Sequence, residues 1–318
     1  METKILNGTA YRDRIFSEIK HEIADAKTKY MQMPGIAFIA FEGHIPLMKY
    51  TIALHLQAAR NLGFNVILET CPHTSGEEEM VKIIEKMNRA DSIHAIVLLQ
   101  PVPKHINAIE LIEHIDRNKE IEGFHPMNVI DTLTKGIYKS KYPMCLPTAL
   151  FELFDNAGIQ VERGQEFVFA VDSDFISNPF RSLILRTASS QAVSSDCSFT
   201  IVNNDNEKLK DFCRRADFLF VISETPEFLK PEWLKPGVCI IDVYANLIKE
   251  VASKKNPDMM IPVIRGGVNT EAVMNIAGAI APCPGGLMPI LLSVLLRNAF
   301  VAFKHALNAE RQISGQEV

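Results

Sequence analysis

The stretch Pro34-Gly35-Ile36-Ala37-Phe38-Ile39-Ala40-Phe41 decides the fold. Six apolar residues follow a Pro-Gly break, with no alternation of the kind a half-exposed strand shows. A run of that length, bounded by turn residues, reads as a parallel strand covered on both faces. Before it, Ile15, Ile19 and Ile23 recur every four residues, so Tyr11 to Tyr30 reads as a helix. After it the chain alternates. Leu47 to Leu62 has helical period, and Asn65 to Glu69 is a second strand. Ser75-Gly76-Glu77-Glu78 resembles a capping box ahead of a stripe of Met80, Ile83, Ile84 and Met87. Ile93 to Leu99 is a third strand, and Asn107 caps a helix that carries Leu111, Ile112 and Ile115 on one face.

Strand and helix in alternation with short links imply a parallel sheet covered by helices. The rhythm restarts after about residue 147, with short apolar strands at Phe167 to Val171, Phe199 to Val202, Phe218 to Ile222 and Val238 to Val243. The expected architecture is therefore α/β in two domains. An amino-terminal parallel α/β domain spans residues 1–146 and is completed by a carboxyl-terminal helix at about 287–310; a Rossmann-like domain spans 147–286. Apolar helices at Pro147 to Asn156 and Leu287 to Leu307 tie the halves together. Ligands of open α/β sheets bind beyond the carboxyl ends of the strands, so the loops after Phe41, Leu99, Val171 and Val243 are where chemistry is sought.

Bulk properties narrow the class. With 318 residues, 47% hydrophobic and 22% charged, the composition is that of a soluble globular protein of two domains. A formal net charge of -5 argues against a nucleic-acid binder. Cys71, Cys145, Cys197, Cys213, Cys239 and Cys283 include no C-x-x-C spacing, so no metal site is expected and free thiols in a reducing compartment are. Met1-Glu2-Thr3-Lys4 has no apolar signal core, and the stretch from Leu287 to Val301 is broken by Pro289, Arg297 and Asn298, short and polar for a membrane span. A cytoplasmic location without a membrane partner is the expectation.

Three segments resemble signatures of one family. Glu122-Gly123-Phe124-His125-Pro126-Met127-Asn128 is similar to D-G-F-H-P-x-N, Leu99-Gln100-Pro101-Val102-Pro103 to Q-L-P-L-P, and Pro282-Cys283-Pro284-Gly285-Gly286-Leu287-Met288-Pro289 to P-V-P-G-G-V-G-P. Leu234-Lys235-Pro236-Gly237 and Ile240-Ile241-Asp242-Val243 resemble two further stretches, I-K-P-G and V-I-D-V-G, in the same order. Together they resemble the bifunctional methylenetetrahydrofolate dehydrogenase/cyclohydrolase (FolD) family across almost the whole chain. The resemblance implies a folate-binding domain and a Rossmann-type domain joined by long helices, a homodimer, and a tetrahydrofolate-type ligand. It also implies oxidation of methylenetetrahydrofolate with NAD(P) followed by hydrolysis of the methenyl product.

The residues that carry that chemistry are altered here. The family's catalytic lysine lies in a Y-x-x-x-K helix motif. If Tyr50 is the motif tyrosine, the lysine position is Leu54; aligned backwards from Gly63-Phe64 it is His55, with Thr51 for the tyrosine, and this register also matches Gly43 and Pro46. His55 is then either an acid or base titrating near neutrality or simply a histidine of an amphipathic helix. Lys49 is not three or four residues from either position and is no surface neighbour. Gln100 lies one place beyond the family glutamine, a shift that reverses side-chain direction in a strand; it either recovers that role or is a polar strand end. Glu122 replaces the aspartate that holds the pterin ring and keeps the carboxylate on one more methylene. Tyr50, Glu122, Pro284, Gly285 and Gly286 are the substrate-side residues the resemblance implies, His55 and Gln100 the catalytic ones.

The cofactor loop departs furthest. Val171-Asp172-Ser173-Asp174-Phe175-Ile176-Ser177-Asn178-Pro179 stands where the family has G-R-S-x-x-V-G-x-P, with both glycines and the arginine gone. Asp172, Ser173, Ser177 and, further on, Ser198 are the cofactor-side candidates. Carboxylates at Asp172 and Asp174 repel the 2′-phosphate of NADP, whereas NAD stays open because a carboxylate accepts from a ribose hydroxyl; a solvated acidic loop is the alternative. Ser198 and Thr200 are read against the family's H-S-x-T, Glu224 stands in its A-V-G-K-P stretch, and Tyr244 replaces the glycine of D-V-G. The expectation is a homologue whose dehydrogenase and cyclohydrolase activities are impaired or lost, with folate binding kept in a regulatory role. The alternative is an active enzyme with substituted catalytic residues.

Overall fold

The structure is a computed structural model that describes residues 2–42, 46–172, 196–254, 256 and 258–314. The chain divides into two compact units: residues 13–145 with 292–318, and residues 1–12 with 146–291. The first twelve residues, expected in the amino-terminal domain, belong instead to the Rossmann-type unit. The reason is a strand too short to show a period: β1 (Lys4–Ile5) pairs in parallel with Ala279 and Ile280.

In the unit of residues 13–145, β2 (Gly35–Phe41) is the middle strand of a parallel three-stranded sheet. Its neighbours are β3 (Asn65–Cys71) and β4 (Ala95–Leu98), and every residue of β2 is buried. The uninterrupted apolar run is thus the signature of burial on both faces. Helices α1 (Gly8–Tyr30), α2 (Met48–Leu62), α3 (Glu77–Arg89), α4 (Ala108–Glu113) and α5 (Pro126–Lys135) follow in chain order, α1 beginning in the other unit. Gly63 ends α2 at φ +104°, returning its N–H to the last turn. Asn107 caps α4 as expected, its side chain accepting from Ile109 N. The capping box does not form. Helix α3 starts one residue late, so Gly76 is the N-cap and the buried Ser75 hydroxyl makes no cap bond. Three glutamates in the first turn compensate through the helix dipole.

The other unit carries a six-stranded parallel sheet in the order β1-β11-β8-β7-β5-β6, formed by β5 (Glu166–Val171), β6 (Ser198–Asn203), β7 (Phe218–Ile222), β8 (Cys239–Asp242), β11 (Ala279–Ala281) and β1. An antiparallel pair, β9 (Asn246–Ala252) with β10 (Met260–Arg265), was not expected from the sequence. Alternate residues of β5 face opposite layers. Val168 and Ala170 join a core with Leu219, Val221, Ile240 and Leu209. Phe167 and Phe169 stack in a ladder on Phe218 and Phe220 at centroid spacings of 4.5 and 4.3 Å. Helices α6 (Cys145–Ala157), α7 (Leu209–Arg215), α8 (Thr270–Val273) and α9 (Leu287–Ser314) complete the chain.

Helix α9 is longer than the apolar stretch suggested. Leu287–Ala309 has a mean hydropathy of 1.6, long and apolar enough to cross a membrane, but 67% of that window is buried inside the protein, as in a core helix. Pro289 sits in its first turn, where a missing N–H costs nothing, and Asn298 is buried with its amide bonded to carbonyls. The polar residues therefore do not interrupt the helix.

Candidate functional site

Two sets of residues stand at carboxyl strand ends, one in each unit. In the first, α2 turns His55 inward, 8% exposed, and Leu54 outward, 52% exposed. The inward side chain is the one that the register counted from Gly63 sets at the lysine position. The imidazole packs edge-on against Phe38 of β2 at 5.9 Å, and its Nδ1 lies 2.7 Å from the Thr51 carbonyl oxygen one turn earlier. A ring nitrogen facing a carbonyl must carry the proton, which leaves Nε2 with its lone pair. Burial lowers the His55 pKa, outweighing the carbonyl that would raise it. The ring is therefore neutral at pH 7. It is a base of reduced strength and not the fixed positive charge that a lysine brings.

Beyond β4, Leu99 turns into the core and Gln100 follows it, its amide Nε2 buried with no hydrogen-bond partner. Gln100 and His55 make no hydrogen bond to each other. Tyr50 occupies the first turn of α2, part-buried, with the Lys49 ammonium 4.9 Å from its ring centroid. A parallel bridge between Ile96 and Glu120 directs the following residues toward the carboxyl end of β4, which carries Glu122 there. The turn is held from within. Glu120, 2% exposed, accepts from the backbone N–H groups of Glu122 (2.8 Å) and His125 (2.9 Å) and from Asn128 Nδ2 (3.1 Å). Glu122 O accepts from Cys145 N at 2.9 Å, and Asn298 Nδ2 donates to the carbonyls of Ile121 (2.9 Å) and Pro143 (3.3 Å). Gly123 is at φ +83°, where a Cβ would meet the Met144 backbone at 2.5 Å, so only glycine fits. Burial, then the neighbouring Glu120, push the Glu122 carboxyl well above the usual carboxylate range. His125 and Asn128 serve as turn residues: His125 Nδ1 accepts from Met127 N, and Asn128 binds Glu120.

In the Rossmann-type unit, β5 sends the chain to β6 on one side and then to β7 on the other. That reversal is a topological switch point, the place where ligands enter α/β sheets. Asp172 stands on it, immediately after β5. Its Oδ1 accepts from Asn204 Nδ2 at 2.6 Å and its Oδ2 from Glu224 N at 2.5 Å, so one carboxylate ties the ends of β6 and β7 to β5. Asn204 Nδ2 also donates to Ile222 O at 3.3 Å, while its Oδ1 is buried with no partner. Tyr244, after β8, donates to Glu224 Oε1 at 3.3 Å. Among the described residues, the carboxylates of Asp172 and Glu224 and the Asn204 amide oxygen are acceptors. Ser173, Asp174 and Ser177 lie outside the described residues. Ser198 does not join Asp172. It opens β6 at the amino end, beside Glu166, with five residue steps of strand, roughly 17 Å, between it and Asn203. The loop at the right end is Asn203-Asn204-Asp205-Asn206, a turn composition that the sequence displays plainly.

Pro284, Gly285 and Gly286 belong to this unit too. Gly286 N donates to Pro282 O at 2.7 Å, closing the tight turn, and Gly285, at φ +108°, has open space where a Cβ would stand. Gly8 N donates to Gly285 O at 2.9 Å, so the pair also seats the start of α1. Asp242 is buried and accepts from Gly267 N and Val268 N at 3.0 and 3.1 Å; burial pushes its carboxyl up to about 7. No cluster able to hold a metal ion is present among the described residues.

These arrangements have relatives. Family models described as tetrahydrofolate dehydrogenase/cyclohydrolase match the chain: the catalytic domain over residues 6–122 and the NAD(P)-binding domain over 144–307. The bifunctional protein FolD of Desulfosudis oleivorans is 33% identical over 307 residues, covering 96% of this chain and 99% of that protein. That of Desulfotalea psychrophila is 34% identical over 302 residues, covering 95% and 98%. Among solved structures, the 5,10-methylenetetrahydrofolate dehydrogenase of the silkworm Bombyx mori is 25% identical with a TM-score of 0.76, over 96% of this chain and 99% of that one. The Trypanosoma brucei methylenetetrahydrofolate dehydrogenase-cyclohydrolase, solved with NADP and an inhibitor, shares the fold at a TM-score of 0.80 and 23% identity, over 96% and 99%. The chain belongs to the tetrahydrofolate dehydrogenase/cyclohydrolase family.

Proposed function

We propose that this chain keeps the family's tetrahydrofolate-type site but has lost, or strongly impaired, the paired dehydrogenase and cyclohydrolase activities, and acts as a folate-responsive binding protein. One observation carries the reading: at the lysine position stands His55, buried and neutral, its Nδ1–H spent on the Thr51 carbonyl. Such a ring neither supplies a positive charge to a reacting centre nor reaches Gln100 by a hydrogen bond. Glu122, its backbone N–H held by Glu120 and its carbonyl by Cys145 N, is the group that would accept from paired N–H donors of a pterin-like ring. A dinucleotide bound in the Rossmann-type unit would supply a hydride acceptor. Asp172 and Asn204 would hold it, and the Asp172 carboxylate disfavours NADP there.

A second reading, an active enzyme using His55 Nε2 as its base, draws support from the free lone pair and from relatives described as bifunctional. Turnover separates the two. Under the first, the wild-type protein binds a tetrahydrofolate analogue without hydrolysing methenyltetrahydrofolate, and His55→Lys restores hydrolysis. Under the second, the wild-type protein turns over and His55→Ala abolishes it. Wild-type hydrolysis at a rate typical of an enzyme, ~1–1000 per second, refutes the first reading.

A further inference from the structure

We propose that the groove at the amino end of the three-stranded sheet, lined by Lys141, Tyr142 and His305, is a second ligand site, and that it takes a small molecule bearing a phosphate group. Every residue of the groove belongs to the unit of residues 13–145 and 292–318. It is separate from the folate-side residues. Its wall includes Asp91 and His94, ahead of β4, whereas Gln100 and Glu122 stand beyond the other end of that strand. The strand Ala95–Leu98 puts roughly 13 Å between the two ends. The groove holds about 620 Å³, within the range of ~300–1,000 Å³ that small-molecule sites occupy.

Unspent donors collect on one side of it. Lys119 is not among them, since its Nζ donates to the carbonyls of Met87 (3.4 Å), Asn88 (2.6 Å) and Ala90 (2.9 Å). Lys141, half-buried, donates from Nζ to Asn118 Oδ1 at 3.0 Å and lies 5.0 Å from the centroid of the Tyr142 ring. It forms no ion pair among the described residues, so its remaining N–H groups have no acceptor. Tyr142 is 1% exposed, and its hydroxyl meets no partner. Burial, then the carboxylates of Asp116 and Glu120, raise its pKa, so the hydroxyl keeps its proton and is a donor. The field has the matching sign. Asp116 and Asp91 both act on Lys119. Only Asp116 reaches Lys141, and the Arg117 cation outweighs it there. Burial, then Lys141 and Lys304, lower the pKa of His305, and no carboxylate among the described residues offsets them. Lys304 is itself paired with Glu22 at 2.9 Å.

A buried donor without an acceptor is costly, and so is a half-desolvated ammonium without a counter-charge. An anionic ligand relieves both. A phosphate monoester brings more acceptor oxygens and more charge than a carboxylate, and lysine meets it as a point charge that needs no fork geometry. Its charge also draws a proton onto His305, which the neighbouring lysines otherwise resist. The volume leaves room for the body of the molecule beyond the phosphate.

Calorimetric titration of the purified full chain with glycerol phosphate, and with glycerol as the uncharged control, tests the idea. Glycerol phosphate is expected to bind and glycerol to give no heat of binding. Lys141→Gln, its folding checked by circular dichroism, should weaken glycerol phosphate by at least ~10-fold, the ratio that one hydrogen bond to a charged group gives. A second measurement needs no change at Lys141. The His305 ring signals in nuclear magnetic resonance, assigned by their loss in His305→Gln, should titrate below the ordinary ~6.5 in the free protein. Saturating glycerol phosphate should raise that midpoint by roughly half a pH unit or more, and affinity should therefore increase as pH falls through the same range. Absence of binding, unchanged affinity in a folded Lys141→Gln, or a His305 titration indifferent to the ligand overturns the proposal. None of these readings involves Glu122: failure of a tetrahydrofolate analogue to bind would sink the proposed function and leave this site standing.

Discussion

Replacing Asn298 by alanine should destabilise the protein by about 3 kcal/mol and weaken folate-analogue binding at the same time. Asn298 is 3% exposed, and its Nδ2 donates to the carbonyls of Ile121 and Pro143. After truncation the Ile121 oxygen keeps only the Cys145 thiol at 3.5 Å, a weak donor. A buried acceptor left without a good partner costs ~1–3 kcal/mol, and two are affected here, besides the small cavity. Against a total stability of ~5–15 kcal/mol this is a large share. With a urea slope of ~1–3 kcal/mol per molar, the midpoint falls by roughly 1–3 M. Ile121 precedes Glu122 and Pro143 precedes the Met144 backbone on which Gly123 packs, so the loosened turn displaces the Glu122 carboxyl as well. Circular dichroism during urea titration and calorimetry with a tetrahydrofolate analogue read the two effects. Asn298→Leu separates lost donors from lost volume: it fills the space and should recover little stability. A midpoint shift below about 0.3 M in the alanine variant with unchanged affinity would refute the reasoning.

Three further outcomes follow from the same geometry. Gly123→Ala forces a Cβ to 2.5 Å from Met144 at a positive φ, and should cost more than ~3 kcal/mol by strain and clash; a thermal midpoint within 2 °C of wild type, roughly a 1 kcal/mol change or less, would contradict it. Because the Glu122 carboxyl is raised, its carboxylate forms only as pH climbs, so analogue affinity should rise with pH through that raised range and Glu122→Gln should flatten the profile; a wild-type profile as flat as that of the variant would exclude Glu122 from the site. Asp242, raised to about 7, favours the protonated folded state. Its contribution is full below the ordinary carboxylate pKa of ~4 and is lost as pH rises through about 7, an effect of up to about 4 kcal/mol. Thermal midpoints at pH 5 and pH 8 should therefore differ less in Asp242→Asn than in the wild type.

Much of this was legible in the chain. The run Ile36 to Phe41 marked a doubly covered strand because burial on both faces erases alternation, and β2 is wholly buried. Counting back from Gly63 sets His55 at the lysine position as an expectation, and α2 turns His55 inward and Leu54 outward. Asn107 capped its helix because a cap is local. The failures are equally physical. Ser75 missed its capping role by one residue, since helix boundaries depend on contacts that the periodicity does not contain. Ser198 opens β6 at its amino end, which a short motif does not specify, and a six-residue parallel strand separates its two ends by the width of a site. The antiparallel pair of β9 and β10 went unseen because its partly exposed residues carry no clean alternation.

Local order along the chain therefore determined the alternation of strands and helices, the two-domain class and the family, since all three rest on spacing and short motifs. Tertiary structure alone decided which side chains are spent and which are left over. Pairing across β5, β6 and β7 spent the Asn204 amide N–H and the Glu224 N–H on Asp172 and left the amide oxygen of Asn204 unmatched. Burial made His55 neutral and held the carboxyl of Glu122 in its protonated form to higher pH. Hydrogen-bond satisfaction and desolvation are properties of an environment assembled from distant segments, and a residue's identity in sequence does not contain them.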